Sequence, residues 1–463
     1  MPITSTASGA GNAGYNDTES QYTKTYATNT ASGAVALETV EAALKEIYTP
    51  ERMRAVMYDN SPLFSLLPKD TTSFGGPYMV NPIQYGTNQR RSQSFTDAQG
   101  QTSSAAVKAF YLTRVRDYAF AHLDAEAILS TRGDAGAFIN FLTMEVDGAL
   151  YAMKRSLTRA VFGDASGALT KVLGTGTSYT TPAARGAVTL TATQFATTDV
   201  EDIVHFEVGQ KLVCVEGGTA ASGRAAATGT LRSGSMSVTA VDRVNGIVTC
   251  SAGLVGSLAS NDWIVSSGDA AQGDANVRLS GLAAWLPASV GASDSFFGVN
   301  RSVDRTRLAG LYYSGSSSNV HDSLIEAGAI IGREGGTPDV AVCSYKTFVQ
   351  LEKELTAKDG GSQRSYRQIV SDVPSIGFSG INVKLPSGDV TLLADPNCQP
   401  DTLWLLQTNT WKLYSLGEAP HILSLDGLRM IRQSTSDSYE LRCGFYGQLG
   451  CSRPSSNVRI DLA

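Results

Sequence analysis

The residue types that most often carry chemistry are few in this chain and scattered. Histidine occurs four times, at His122, His205, His321 and His421, with no HExxH and no HxH pair among them. There is no Walker loop and no GxSxG elbow, so neither nucleotide hydrolysis nor serine-type acyl transfer has a sequence signature here. Six cysteines (Cys214, Cys250, Cys343, Cys398, Cys443 and Cys451) lack CxxC spacing and a nearby histidine, which predicts buried free thiols in a reducing compartment. Acidic residues are abundant enough to meet as pairs in space, but their spacing singles out none of them. Arg132-Gly133-Asp134 spells an adhesion tripeptide, yet its place at the start of a helical pattern makes it a turn and cap. Two sequons, at Asn16 and Asn300, carry no weight in a chain expected to be made in a cytosol. No catalytic residue, metal ligand or cofactor is predicted, and the chain is not expected to be an enzyme.

The elements that would position any site are more informative. From Ala135 to Phe162 the sequence runs without proline, with Phe138, Phe141, Leu142, Val146, Leu150, Met153, Leu157 and Val161 at steps of three and four. That periodicity predicts one helix of about 40 Å, with Asp134 as N-cap and Gly163-Asp164 as its end. Acids (Asp134, Glu145, Asp147) precede bases (Lys154, Arg155, Arg159) along it, as the helix dipole favours.

Before that helix, Tyr78 to Tyr85 and Val107 to Arg116 read as two limbs of a ribbon. The 21 residues between them, 86–106, are polar apart from Phe95, and a ribbon with such a tip has no core of its own. Its expected partner is another chain. Arg90 and Arg91 at the tip and Phe95 beside them are candidate contacts, joined by Lys154, Arg155 and Arg159 on the helix's polar face. After the helix, residues 172–275 turn rich in Thr, Gly, Ala and Val. Strand-like runs fall at 188–190, 211–215, 237–241, 247–250 and 263–265, with Asn245-Gly246 as a hairpin marker. This predicts a small β-barrel or sandwich inserted after the helix.

Residues 276–318 return to the main body, and 319–399 read as mixed α/β. Helices are expected at Val320 to Arg333 and Tyr345 to Thr356, a buried strand at Val340 to Cys343, and a hairpin around Pro386-Ser387-Gly388-Asp389. A polar loop from Lys358 to Arg367 carries Arg364 and Arg367 as further candidate contacts. Residues 400–463 hold terminal strands. At the other end, residues 1–33 contain eleven Ser or Thr and few large aliphatics, the composition of a disordered tail or of an arm ordered by a partner. Residues 34–68 hold two short helical patterns.

The whole chain has 463 residues, 46 of them Gly, with 17% charged residues and a net charge of −6. That length allows two or three domains, and the acidic balance argues against a dedicated nucleic-acid binder. Arginines outnumber lysines 25 to 12, which suits interface ion pairing. Neither a membrane-spanning stretch nor a signal peptide is expected.

In combination, this order resembles the major capsid proteins of tailed bacteriophages, the Hong Kong 97 fold family. Phe110-Tyr-Leu-Thr-Arg-Val-Arg-Asp-Tyr118, Ser130-Thr-Arg-Gly-Asp-Ala-Gly-Ala-Phe138 and Phe162-Gly-Asp-Ala-Ser-Gly167 look like an extended loop running into a spine helix. Gly281-Leu-Ala-Ala-Trp-Leu286 and Phe296-Phe-Gly-Val-Asn-Arg-Ser302 look like the re-entry segment of members with an inserted β-domain. The resemblance implies an α+β fold with an N-terminal arm (1–33), an extended loop (69–116), a peripheral domain (117–171 with 400–463) and an axial domain (319–399). It implies hexamers and pentamers closing an icosahedral shell around double-stranded DNA without sequence-specific binding, in a virion assembled in bacterial cytoplasm. A portal protein and a cement or decoration protein would be partners. The N-terminal segment is too short for a helical scaffolding domain, so a separate scaffold is expected. Some members cross-link through a lysine near the loop tip; residues 86–106 contain none, so non-covalent stabilisation is expected. An encapsulin-type compartment shell and a secreted or tail-associated carbohydrate-binding adhesin are the alternative readings.

Overall fold

The computed structural model describes residues 61–124, 135–177, 179–217, 230–251, 254–269, 278–292, 294–358, 370–372, 379–417, 421–422, 430–433 and 435–462. The expected arm, the two helical patterns up to Tyr58, the Asp134 cap and most of the 358–367 loop lie outside them. The class is mixed α+β. The described chain divides into two compact units, one from residues 118–153 and 422–444, the other from 59–117, 154–421 and 445–463.

In the first unit, Met430–Arg432 pairs antiparallel with Ser438–Cys451, Met430 facing Leu441 and Arg432 facing Tyr439. The strand Val115–Asp124 pairs with the same long strand. The helix Ala135–Phe162 begins here and has the bounds its periodicity predicts.

The second unit is built on a seven-stranded sheet in the order 311–314, 458–461, 402–406, 340–343, 388–394, 379–385, 370–372. Its central strand Val340–Cys343 is buried at every residue, which is why it reads as an unbroken apolar run. It lies parallel to Gly388–Ala394 and antiparallel to Thr402–Leu406. Helices Val320–Arg333 and Tyr345–Lys358 supply Leu324, Ala327, Ile331 and Leu351 to a core completed by Ala341, Leu392, Leu403, Leu405, Val458 and Ile460.

Six strands, 168–175, 194–197, 211–215, 236–242, 247–250 and 263–266, form a closed barrel in the same unit. Its interior holds Phe195, Phe206, Leu212, Val238, Val248 and Ile264. The turn between 236–242 and 247–250 places Gly246 at φ +69°, and Asp242 accepts backbone hydrogen bonds from Val244 and Asn245. Two strands were not anticipated: 168–175, which starts as the long helix ends, and 194–197. Conversely, the run at 188–190 forms only an isolated bridge from Thr189 to Thr180.

Where the chain leaves the long helix and later returns, Gly281 meets the helix's last turn. A Cβ there would stand 2.2 Å from the Val161 carbonyl oxygen and 2.3 Å from that of Ala160, so only glycine permits the approach. Beside it, Arg278 pairs with Asp117 at 2.8 Å and Asp269 at 3.3 Å in a nearly buried knot.

Candidate interaction surface

The site is built from the ribbon upward. Tyr78–Gly86 pairs antiparallel with Ala106–Thr113, in register from Tyr78 opposite Thr113 to Gln84 opposite Val107, with a bulge before Gly86. Because side chains alternate across a strand, this register sorts the limbs into two faces. One face carries Asn81, Ile83, Phe110 and Leu112, all buried. The other carries Tyr78, Val80 and Tyr111, each 47% exposed, and Val107, 56% exposed. Tyr78 and Tyr111 meet edge to face across the strands, with centroids 5.3 Å apart.

The inner face is clamped by an aromatic cluster. The Phe110 ring lies 5.3 Å from Trp285, which in turn contacts Phe296 at 5.0 Å and Trp411 at 6.4 Å. The Trp285 indole N–H donates to the Leu449 carbonyl at 3.1 Å, so its one polar group is satisfied in the core. Arg301, 1% exposed, stacks over Phe296 and is neutralised by Asp294, while its Nη1 donates to the Ala284 carbonyl. Asn81 donates to the Cys451 carbonyl at 2.8 Å. At the foot of the ribbon, hydrogen bonds from Ser73 and Thr72 hold the Asp70 carboxyl down at about 2.

Toward the tip this support stops. A six-residue helix, Phe95–Gly100, sits there with Ser94 as N-cap, a turn the polar composition did not reveal. Phe95, its first residue, is 81% exposed. Arg90 Nε donates to the Ser103 carbonyl at 2.9 Å and so braces the tip; Arg91 is exposed.

The remaining predicted contact residues fall elsewhere. Arg155 pairs with Glu207 of the barrel at 3.2 Å. Arg159 donates to the carbonyls of Asn397 and Leu169, both at 3.2 Å. Lys154 is half-buried on the same helix, and Arg364 and Arg367 lie outside the described residues. The apolar outer stripe of the ribbon was missed. Its signal was available: Tyr78, Val80 and Pro82 share one parity while Met79 and Ile83 share the other, so the limb is apolar on both faces.

As for chemistry, the six cysteines are free and buried, and burial pushes thiols such as Cys451 up to about 12. No cluster of three or more His, Cys, Asp or Glu able to hold a metal occurs among the described residues. No described helix is long and apolar enough to cross a membrane.

No family model and no curated protein matches the sequence. Among solved structures, the chain is similar to the cyanophage A-1(L) capsid asymmetric unit at 10% identity, over 88% of this chain and 94% of that one, with a TM-score of 0.47. It is similar to a Mycobacterium phage Bobi chain at 9% identity, over 93% and 99%, with a TM-score of 0.42. The third likeness is to the capsid of Myoviridae phage XM1, at 7% identity over 93% and 100%, again with a TM-score of 0.42. The first and third of these are described as phage capsids.

Proposed function

We propose that this chain is the major capsid protein of a tailed bacteriophage, a shell subunit of the Hong Kong 97 type. It assembles as hexamers and pentamers into an icosahedral head around double-stranded DNA. The observation that carries this reading is the ribbon of residues 78–113. Its root is locked into an aromatic core, while its outer face keeps Tyr78, Val80, Val107 and Tyr111 half in water and its tip is polar. A two-stranded ribbon is marginal by itself. One held rigidly at its base, with an apolar outer stripe, is suited to lying on another subunit. Covering each of those four side chains would contribute on the order of 1 kcal/mol.

Within this proposal, residues 1–33 are the arm, 69–116 the extended loop, 319–399 the axial domain, and the barrel an insertion into the peripheral region. The inter-subunit contacts are Arg90, Arg91, Phe95, Lys154, Arg364 and Arg367. For Arg155 and Arg159 the intrachain partners support a role in seating the barrel instead. A separate scaffolding protein, a portal and a decoration protein are the proposed partners. The net charge of −6 suits a container that should not grip its packaged genome, since affinity for DNA rises with neutralised phosphates. Shell joints are non-covalent.

Electron microscopy of the expressed chain, with and without a scaffold supplied, tests the assignment. Closed shells tens of nanometres across are expected; monomers or trimers under every condition would overturn it. Denaturing gels of purified particles should show a single monomer band, and a ladder of covalent oligomers would refute the non-covalent joint.

A further inference from the structure

The barrel meets the seven-stranded body along a seam of unusual charge. Its 3-10 turn Glu201–His205 lies between Asp199 and Glu207, and of these acids Asp199 and Glu201 reach Lys346 of the body. From the body side, the Lys346 backbone N–H donates to Glu201 at 2.5 Å. The Lys346 ammonium lies 2.6 Å from Asp401 and 3.7 Å from Asp199. Thr170 donates its hydroxyl to Asp202 at 2.7 Å, and Arg159 is the base whose charge Asp202 feels. Arg155 is taken by Glu207, which also binds Arg243. Asp199, Glu201, Asp202 and Asp401 are thus left chiefly with Lys346 and Arg159 as bases, and the Ser344 side chain adds a hydrogen bond to Glu201. Arg185 adds an attraction to Asp199, although its guanidinium is spent on the carbonyls of Thr197 and Thr198. Three buried polar atoms at this seam have no partner: Arg159 Nε, Glu201 Oε2 and His205 Nδ1. A seam so rich in acid and incompletely paired costs desolvation energy whenever every carboxylate is ionised.

We propose that this seam is a proton-operated latch: the barrel sits tightest on the body when Asp202 carries a proton, and loosens when all the seam carboxylates are ionised. Burial raises Asp202 from 3.8 to about 6, and raises Asp199 and Glu201 as well. His205 does not oppose this. Burial, with Arg159 and Arg155 beside it, holds its pKa well below 6.5, so it stays neutral through the transition. Burial drives Cys343 and Cys398 upward, and Lys346 is raised despite its burial by the hydrogen bond and charge of Asp401. Asp395, raised by burial, is the remaining acid near Cys398 and is bonded to Ser61 and Asn397. A carboxyl whose seated pKa exceeds its hydrated one binds more protons when seated. The closed seam is therefore favoured fully below 3.8, and that gain is lost as pH rises through about 6.

Hydrogen exchange on the full-length chain, with rates corrected for intrinsic pH dependence, reads the latch at residues 201–206 and 344–347. Protection there should fall about tenfold between pH 5 and pH 8 while strands 247–250 and 340–343 keep theirs. Asp202→Asn, which mimics the protonated form, should hold the seam protected across the range. Thr170→Val removes a bond to the ionised form and should move the fall to higher pH, which decides the matter if the first variant does not fold. Protection that stays flat in the wild type, a tenfold fall that persists unshifted in the variants, or parallel loss in strands 247–250 would each overturn the latch.

Discussion

The barrel and the ribbon are both excursions from the sheet body, and they manage their exposed backbone in opposite ways. The barrel closes its six strands on themselves, leaves no open edge and fills its interior with Phe195, Phe206 and their neighbours. The ribbon has two strands and borrows its core from Trp285 and Phe296 at its root. A module with its own core needs nothing from a neighbour; one with half a core is built to be completed. The difference separates stability from assembly as properties that can be perturbed independently.

The largest effect should come from cutting the ribbon's anchor. Trp285→Ala removes a fully buried indole and its hydrogen bond, so urea denaturation should show a loss of about 3–5 kcal/mol and particles should not form. Phe206→Ala should cost about as much, roughly 3–5 kcal/mol, but locally. Exchange protection should collapse in strands 236–242 and 247–250 and survive in Val340–Cys343; equal loss in both would show that the barrel does not stand on its own core. Gly281→Ala forces a methyl onto two helix carbonyls and should cost about 1–3 kcal/mol in the same denaturation experiment, ribbon and barrel untouched. Val80→Ser with Val107→Ser should change monomer stability by under about 1 kcal/mol in total, yet lower particle yield by electron microscopy. Normal yield would mean that the outer stripe meets only solvent. Arg90→Ala should be smallest, within about 0.5 kcal/mol, since its bond to the Ser103 carbonyl is solvent-exposed.

Much of the layout could be read from local pattern. The long helix, Val320–Arg333, the strand Val340–Cys343 and both limbs of the ribbon have the bounds that period and breakers imply, to within a few residues. The misses share a cause. The strand at 168–175 has an undistinguished composition and owes its conformation to pairing with 194–197 and 263–266. Leu311–Ser314 is a strand because Val458–Asp461 lies beside it, a partner that no local window contains. Residues 188–190 look like a strand but make only a single bridge.

What the sequence determined by itself was therefore the period of each segment, the absence of recognisable catalytic motifs, and a ribbon too polar at its tip to be self-sufficient. Those properties belong to residues near one another in the chain. Only the tertiary structure decided which face of the ribbon is buried, that Arg278 ties Asp117 to Asp269, and that Gly281 must lack a side chain. It also decided that the acids after Thr198 gather on one seam against Lys346 and Arg159. Each depends on contacts between residues distant in the chain, where desolvation and close packing, rather than local propensity, set the energy.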